Sequence, residues 1–337
     1  MTISKKIDEI EERKNVFSDK KRLENGKTYI PRFLIRESNI DEIIGVLKGI
    51  KPAMQDNCFD RDLEKLKKSL DELEDIYGVN YLISSHKYLI NSPNDFCEVV
   101  DIDDERDGLV SFSLSFESSL NKKSEEFFLK KSKTWERNKE FSRKFGEVMG
   151  YPECCLDFGY SLSGNVGDAE SKKESRTWSK AHIRSFRNSD TVSEALNIYT
   201  IKPLVSHVPC SLDCKGSIKY AKQMFKLLKE EDNLYADLRR YFLRLNSLYW
   251  FYSEFFLFDG DKNRNELFYN DFHKVSFSEN VFYGGMEKEF LEKLERTEEL
   301  LNKGNRLVMK RDCFKIFEGD KELGKVEKDH PFENILF

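Results

Sequence analysis

The chain has 337 residues, of which 35% are Asp, Glu, Lys or Arg, and its net charge is -5. That length exceeds the common size of one domain, so a sizeable core and two or three modules are expected, with no need of a metal or disulfides for stability. Balanced charge of this kind gives a solvated surface without a dominant field, so composition argues against a nucleic acid or an acidic membrane as partner and leaves a small molecule or a protein.

In chain order, Ile3, Ile7 and Ile10 recur at helical spacing among many charges, which predicts a short amphipathic helix. Asp8, Glu9, Glu11 and Glu12 leave no room for a secretory leader, so a cytoplasmic location is expected. Leu63, Leu66, Leu70, Leu73 and Ile76 predict a helix capped by Asp60 and stopped at Gly78. Strands are predicted over Tyr81 to Leu89 and Phe96 to Ile102, and Val110, Phe112, Leu114 and Phe116 alternate with polar residues as a half-buried strand does. Ser124 to Met149 suits one long helix ending near Gly150. Pro152 fits a first helical position, so another helix is expected at the cysteines that follow.

Ser163 to Thr177 has no apolar period and is expected to be a loop. Ser211 is a candidate cap for a helix with Cys214, Ile218, Ala221, Phe225 and Leu228 inward. The aromatic run Leu234 to Phe258 predicts a buried helix, too often interrupted by polar residues to cross a bilayer, which takes roughly 20 apolar residues. A helix over Met286 to Asn302 and a hairpin over Arg306 to Val326 turning at Gly319 complete the chain. The expected class is α+β: a mixed amino-terminal module over 1–123, a mainly helical cysteine-bearing part over 124–260, and a helix with a β-hairpin over 261–337.

Two segments share one design. Tyr151-Pro152-Glu153-Cys154-Cys155 and Pro209-Cys210-Ser211-Leu212-Asp213-Cys214 each place a proline and then two cysteines at a predicted helix start. Unpaired N–H groups and the positive end of the helix dipole favour the thiolate, the form that binds metal or attacks an electrophile. Four thiolates brought together would repel one another unless a cation or a cluster stood between them. Seven cysteines in a reducing compartment also speak against a disulfide framework.

For the bound group, an iron-sulfur cluster is the first expectation and zinc the alternative. Side chains at adjacent helical positions diverge by about 100 degrees, so Cys154 and Cys155 reach separate irons, as of a 4Fe-4S centre, more readily than one ion. In this ligand pattern alone the tandem cysteines resemble those of the cluster subunit of respiratory complex I. His207, three residues before Cys210, is a secondary candidate for a ligand or proton donor. Other readings stay open: a non-catalytic zinc-stapled module that binds a protein, a metal-free thiol redox enzyme, or four cysteines that are simply buried.

Cys58, Cys97 and Cys313 stand alone and read as buried, and His86, His182, His273 and His330 have no partner spacing. Arg184 and Arg187, with Lys180 and Lys202, are a candidate anion-binding edge, though a solvated basic face explains them as well. Glu153, Asp157 and Asp213 suit the dipole at helix starts. No phosphate-binding glycine loop, dinucleotide fingerprint, His-Glu-x-x-His helix, Gly-x-Ser-x-Gly elbow or three-cysteine radical-cluster segment is present. Whether the protein is an enzyme is left open.

The segments Gly150-Tyr151-Pro152-Glu153-Cys154-Cys155 and Pro209-Cys210-Ser211-Leu212-Asp213-Cys214 together resemble those of a prokaryotic, largely archaeal family known only as a domain of unknown function. The resemblance covers about the middle third, Lys130 to Glu230. It implies a shared site and no particular reaction.

Overall fold

In the computed structural model, helices pack around one four-stranded and one seven-stranded antiparallel sheet, an α+β architecture. The structure describes residues 2–37, 39–89, 99–133, 139–162, 185, 189, 193–197, 203–251, 254–263, 265–276, 288–310, 313–327 and 335–336.

The isoleucine spacing at the amino terminus does form a helix, α1 (Ile3–Lys14), which buries Ile3 and Ile10. It is firmly docked: Ile3 N donates to Asp271 Oδ2 at 2.5 Å, and Arg13 Nε donates to Asp232 Oδ1 at 2.9 Å. Short helices α2 (Lys21–Glu24) and α3 (Arg32–Glu37) lead to α4 (Ile40–Leu47), whose first turn is capped by the Asn39 side chain.

The first sheet has the order β1-β4-β2-β3, with β1 (Ala53–Phe59), β2 (Asn80–Leu89), β3 (Val99–Asp101) and β4 (Gly108–Ser115). Helix α5 (Leu63–Tyr77) buries Leu66, Leu70 and Leu73 and ends at Gly78, whose φ of +69° is the left-handed C-cap that glycine accepts without strain. Asp60 does not cap this helix. Its carboxylate instead accepts from Lys87 Nζ at 2.5 Å and from Gly108 N at 3.2 Å, tying the helix entry to the sheet. Strand β4 is buried on both faces, not half-buried: Ser111, Ser113 and Ser115 are covered as fully as Val110, Phe112 and Leu114. Of the strand expected over Phe96 to Ile102, β3 is what the described residues contain.

Helices α6 (Ser118–Lys133) and α7 (Lys139–Val148) occupy the stretch read as one long helix, with 134–138 between them outside the described residues. Gly150, at φ +74°, reverses the chain into α8 (Glu153–Leu162). After it come α9 (Lys215–Glu231) and α10 (Asn233–Leu243), the latter capped by the Asp232 side chain.

The aromatic run beyond α10 is not helix. It turns at Arg244 and enters β5 (Asn246–Phe251) and β6 (Glu254–Asn263). Phe255, Phe256, Leu257 and Phe258 are all buried, as in a strand covered on both faces, and such a run carries neither the helical nor the alternating period. The second sheet continues with β7 (Glu266–Ser276), β8 (Arg306–Met309), β9 (Cys313–Glu318), β10 (Lys321–Glu327) and β11 (Ile335–Leu336), in the order β10-β9-β8-β7-β6-β5-β11. The expected carboxy-terminal hairpin is therefore β9–β10, turning at Gly319 with φ +59°, and it forms the margin of a larger sheet. Helix α11 (Lys288–Lys303) buries Leu294 and Leu301 against that sheet.

Residues from all three expected segments meet in one hydrophobic core, which joins Ile3, Leu70 and Phe112 to Cys155, Cys214, Leu228 and Val275. A second core lies between α11 and the seven-stranded sheet, around Phe256, Phe258, Leu301 and Phe314. No described helix is long and apolar enough to cross a membrane.

Candidate metal centre

Two helix starts face each other. In α8 the chain enters through Pro152, whose carbonyl accepts from Cys155 N at 2.8 Å and Leu156 N at 3.0 Å, so Pro152 is the cap and Glu153 the first helical residue, one position later than expected. In α9 the N-cap is Cys214, whose carbonyl accepts from Ile218 N at 2.9 Å; Ser211 lies one turn earlier and does not cap the helix. Gly216 permits the approach. A Cβ there would stand 2.9 Å from Pro152 Cβ and 3.8 Å from Cys154 Sγ.

The sulfurs of Cys154, Cys155, Cys210 and Cys214 all lie within 4.8 Å of one another, a geometry compatible with a metal site. Cys154 Sγ is 3.4 Å from Cys214 Sγ and 4.0 Å from Cys155 Sγ, and Cys155 Sγ is 3.7 Å from Cys214 Sγ. Cys155 and Cys214 are buried, Cys210 is half-buried and Cys154 is exposed, so the site has a deep side and an open side. The adjacent cysteines thus converge on the same partner. Both sit in the first turn of α8, where Cα–Cβ bonds tilt towards the amino-terminal end, which is where the start of α9 lies.

Behind the deep side runs a hydrogen-bonded chain. Ser217 Oγ, fully buried, is 3.2 Å from Cys155 Sγ and 2.8 Å from His207 Nε2. Cys210 N donates to Cys155 Sγ at 3.4 Å. The His207 ring stacks on Tyr151 with centroids 4.8 Å apart, and Lys51 Nζ lies 6.0 Å from the centroid of that same Tyr151 ring. Lys51, itself buried, pairs with Glu42 and lies 3.2 Å from Ser206 Oγ. His207 is therefore placed one hydroxyl away from the sulfurs and is not one of the four converging ligand atoms.

The electrostatics single out one thiol. Burial pushes Cys155 well above the usual thiol range despite hydrogen bonds from Ser217 and Cys210 N, and burial with the neighbouring sulfurs pushes Cys210 up to about 12. For Cys214 burial acts in the same direction, but the Ser217 hydroxyl and N–H and the flanking cysteines more than offset it and hold the group down to about 7. Without a cation, the fold favours ionisation of Cys214 and opposes it at Cys155 and Cys210. Burial, with the charge of Lys51, lowers His207 to about 4, so its imidazole is neutral at pH 7.

Glu153 and Asp157, next to the thiols in sequence, both form ion pairs with Arg143 of α7. Cys58 and Cys313 are buried in β1 and β9 and do not belong to the group of four. His86 lies 3.7 Å from Asp101, and His273 Nδ1 is 3.5 Å from Ser4 Oγ. Cys97, His182, His330, the loop over Ser163 to Thr177 and the basic group of Lys180, Arg184, Arg187 and Lys202 lie outside the described residues. Ser217, Tyr151 and Lys51 are site residues that sequence reasoning missed; the one available signal was Ser217, three positions after Cys214 and thus over it on the first turn.

Comparison of the chain with protein-family models, curated proteins and solved structures finds no match.

Proposed function

We propose that the four cysteines hold a single zinc ion that staples the start of α8 to the start of α9, and that the centre is structural. One observation carries this reading: sulfur separations of 3.4, 3.7 and 4.0 Å among Cys154, Cys155 and Cys214, with all four sulfurs within 4.8 Å of one another. A tetrahedron of sulfurs about 2.3 Å from a zinc ion has edges of about 3.8 Å. In a cubane iron-sulfur cluster each thiolate sits outboard on its own iron, which holds cysteine sulfurs roughly 6 Å apart. The spacing here supports one ion over a cluster.

Four protein thiolates fill a tetrahedron and leave no position for water or substrate, the arrangement of structural rather than catalytic zinc. Such a site needs reduced thiols, so we place the protein in the cytoplasm. The resemblance at the two cysteine segments is part of the same proposal: chains with both segments would hold the same ion.

The test is anaerobic purification followed by elemental analysis and a visible spectrum. One zinc per chain and no colour is the expected result. A brown preparation with about four irons and labile sulfide returns the iron-sulfur reading. A protein without stoichiometric metal and with a rapidly alkylated Cys154 supports thiol chemistry instead.

A further inference from the structure

Helix α9 carries a second feature, independent of the sulfurs at its start. Lys215, Lys219, Lys222 and Lys226 follow one another at intervals of four, three and four, and all four are exposed along a shallow surface groove of about 500 Å³. At a rise of 1.5 Å per residue they form a row about 16 Å long, with charges about 5 Å apart. Lys226 lies 3.7 Å from Glu230, both side chains being well exposed, a solvated pair that neutralises little. Among the described residues no carboxylate forms an ion pair with Lys215, Lys219 or Lys222.

We propose that this row is a docking surface for the sugar-phosphate backbone of a nucleic acid. Charge complementarity supplies the argument: a regular line of unneutralised ammonium groups fits a ligand with regularly repeated anions. The opposite face of α9 is buried through Ala221, Met224, Leu227 and Leu228, so the helix meets a ligand with its lysine edge, whose ammonium groups act on phosphates as point charges. Binding is therefore to backbone and insensitive to sequence. An acidic membrane fits less well, because an interfacial helix needs apolar side chains beside its cations, and the groove is lined by lysines, Gln223 and the half-buried Ile218. The net charge of -5 described the whole surface and hid this local row.

The experiment uses the full, metal-loaded chain, with zinc content measured separately so that the metal reading stands or falls on its own. Fluorescence anisotropy follows binding to a labelled 20-nucleotide single strand and to the corresponding duplex between 50 and 200 mM salt. Binding to either, with log K falling against log salt at a slope of about -3 as expected for about four contacts, is the expected result. The triple variant Lys219→Glu, Lys222→Glu, Lys226→Glu should bind at least tenfold more weakly, with an unchanged melting temperature and zinc content. The control Lys67→Glu, Lys68→Glu on the exposed face of α5 should bind as the parent does. Absence of binding at 50 mM salt, equal binding by the triple variant, displacement by polyglutamate at equal charge, or preferential capture by vesicles with 30% anionic lipid would each overturn the proposal.

Discussion

Cys155 Sγ and Cys214 Sγ stand 3.7 Å apart although 59 positions separate the two residues in the chain. Closure of so long a loop is costly in an unfolded chain, and a metal that binds only the folded form stabilises that closure. Changing Cys210 to Ser should therefore reduce zinc to well below one per chain and lower the melting temperature, as read by elemental analysis and calorimetry. Cys313→Ser, in β9 and outside the group, should retain full zinc; equal zinc in both variants would refute the centre.

Metal affinity should depend steeply on pH. Cys155 lies above the usual thiol range and Cys210 at about 12, so both are protonated in the metal-free protein at pH 7 and must release protons on binding. Cys214, held down to about 7, contributes a further partial release. Each proton displaced costs about a factor of ten in affinity per unit fall in pH. From pH 7 to pH 6 the zinc affinity should fall at least a hundredfold, and calorimetry in buffers of different ionisation enthalpy should count two or more protons released. Fewer than two would show that the sulfurs are not loaded as thiolates.

Ser217 joins the ligand Cys155 to the neutral His207, so its hydroxyl is the support behind the deep side of the site. Ser217→Ala leaves both partners buried without it, at a cost of about 1 to 3 kcal/mol. Loss of such an outer partner also lowers metal affinity, by about 10- to 100-fold in known sites. Chelator competition and urea unfolding would read the two effects; a variant with parental zinc affinity would show the Ser217 contact to be incidental.

What could be read from the chain follows from what has a period. Leu66, Leu70 and Leu73 repeat at helical spacing, and α5 appears where that repeat lies. Phe255 to Phe258 are buried on both faces of a strand, which leaves no period to read, so β5 and the start of β6 read from the sequence as helix. At the site, the cysteines were legible because each pair follows a proline at a helix start. Cys154 and Cys155 diverge in helical angle, yet their sulfurs lie 4.0 Å apart because both side chains also tilt towards the helix end, which spacing along the chain does not reveal. Tyr151 and Lys51 had no local signal, since their roles arise from contacts with His207, Glu42 and Ser206 made by tertiary packing.

Away from the sulfurs, the buried pair of Arg239 and Asp41, at 2.5 Å, joins α10 to α4, and Tyr235 Oη donates to the same carboxylate at 2.9 Å. Arg239→Met should destabilise by about 3 to 5 kcal/mol, because Asp41 is left as an uncompensated buried charge. Adding Asp41→Leu should recover part of the loss in denaturant unfolding. Additive losses would mean that the two groups do not act as a pair.

The closest test of the stapling geometry is at Gly216. Alanine is favoured over glycine in a helix by about 0.5 to 1 kcal/mol, so on propensity alone Gly216→Ala should stabilise α9. Its Cβ, however, would meet Pro152 Cβ at 2.9 Å, and a pyrrolidine ring cannot rotate out of the way as a longer side chain would. The starts of α8 and α9 must then separate, carrying Cys154 away from Cys214. Zinc affinity by chelator competition should fall at least tenfold. Gly159→Ala, in α8 where a Cβ meets nothing within 4 Å, should keep parental affinity and gain a little stability. If both variants bind zinc as the parent does, the close approach of the two helix starts is not what holds the four sulfurs together.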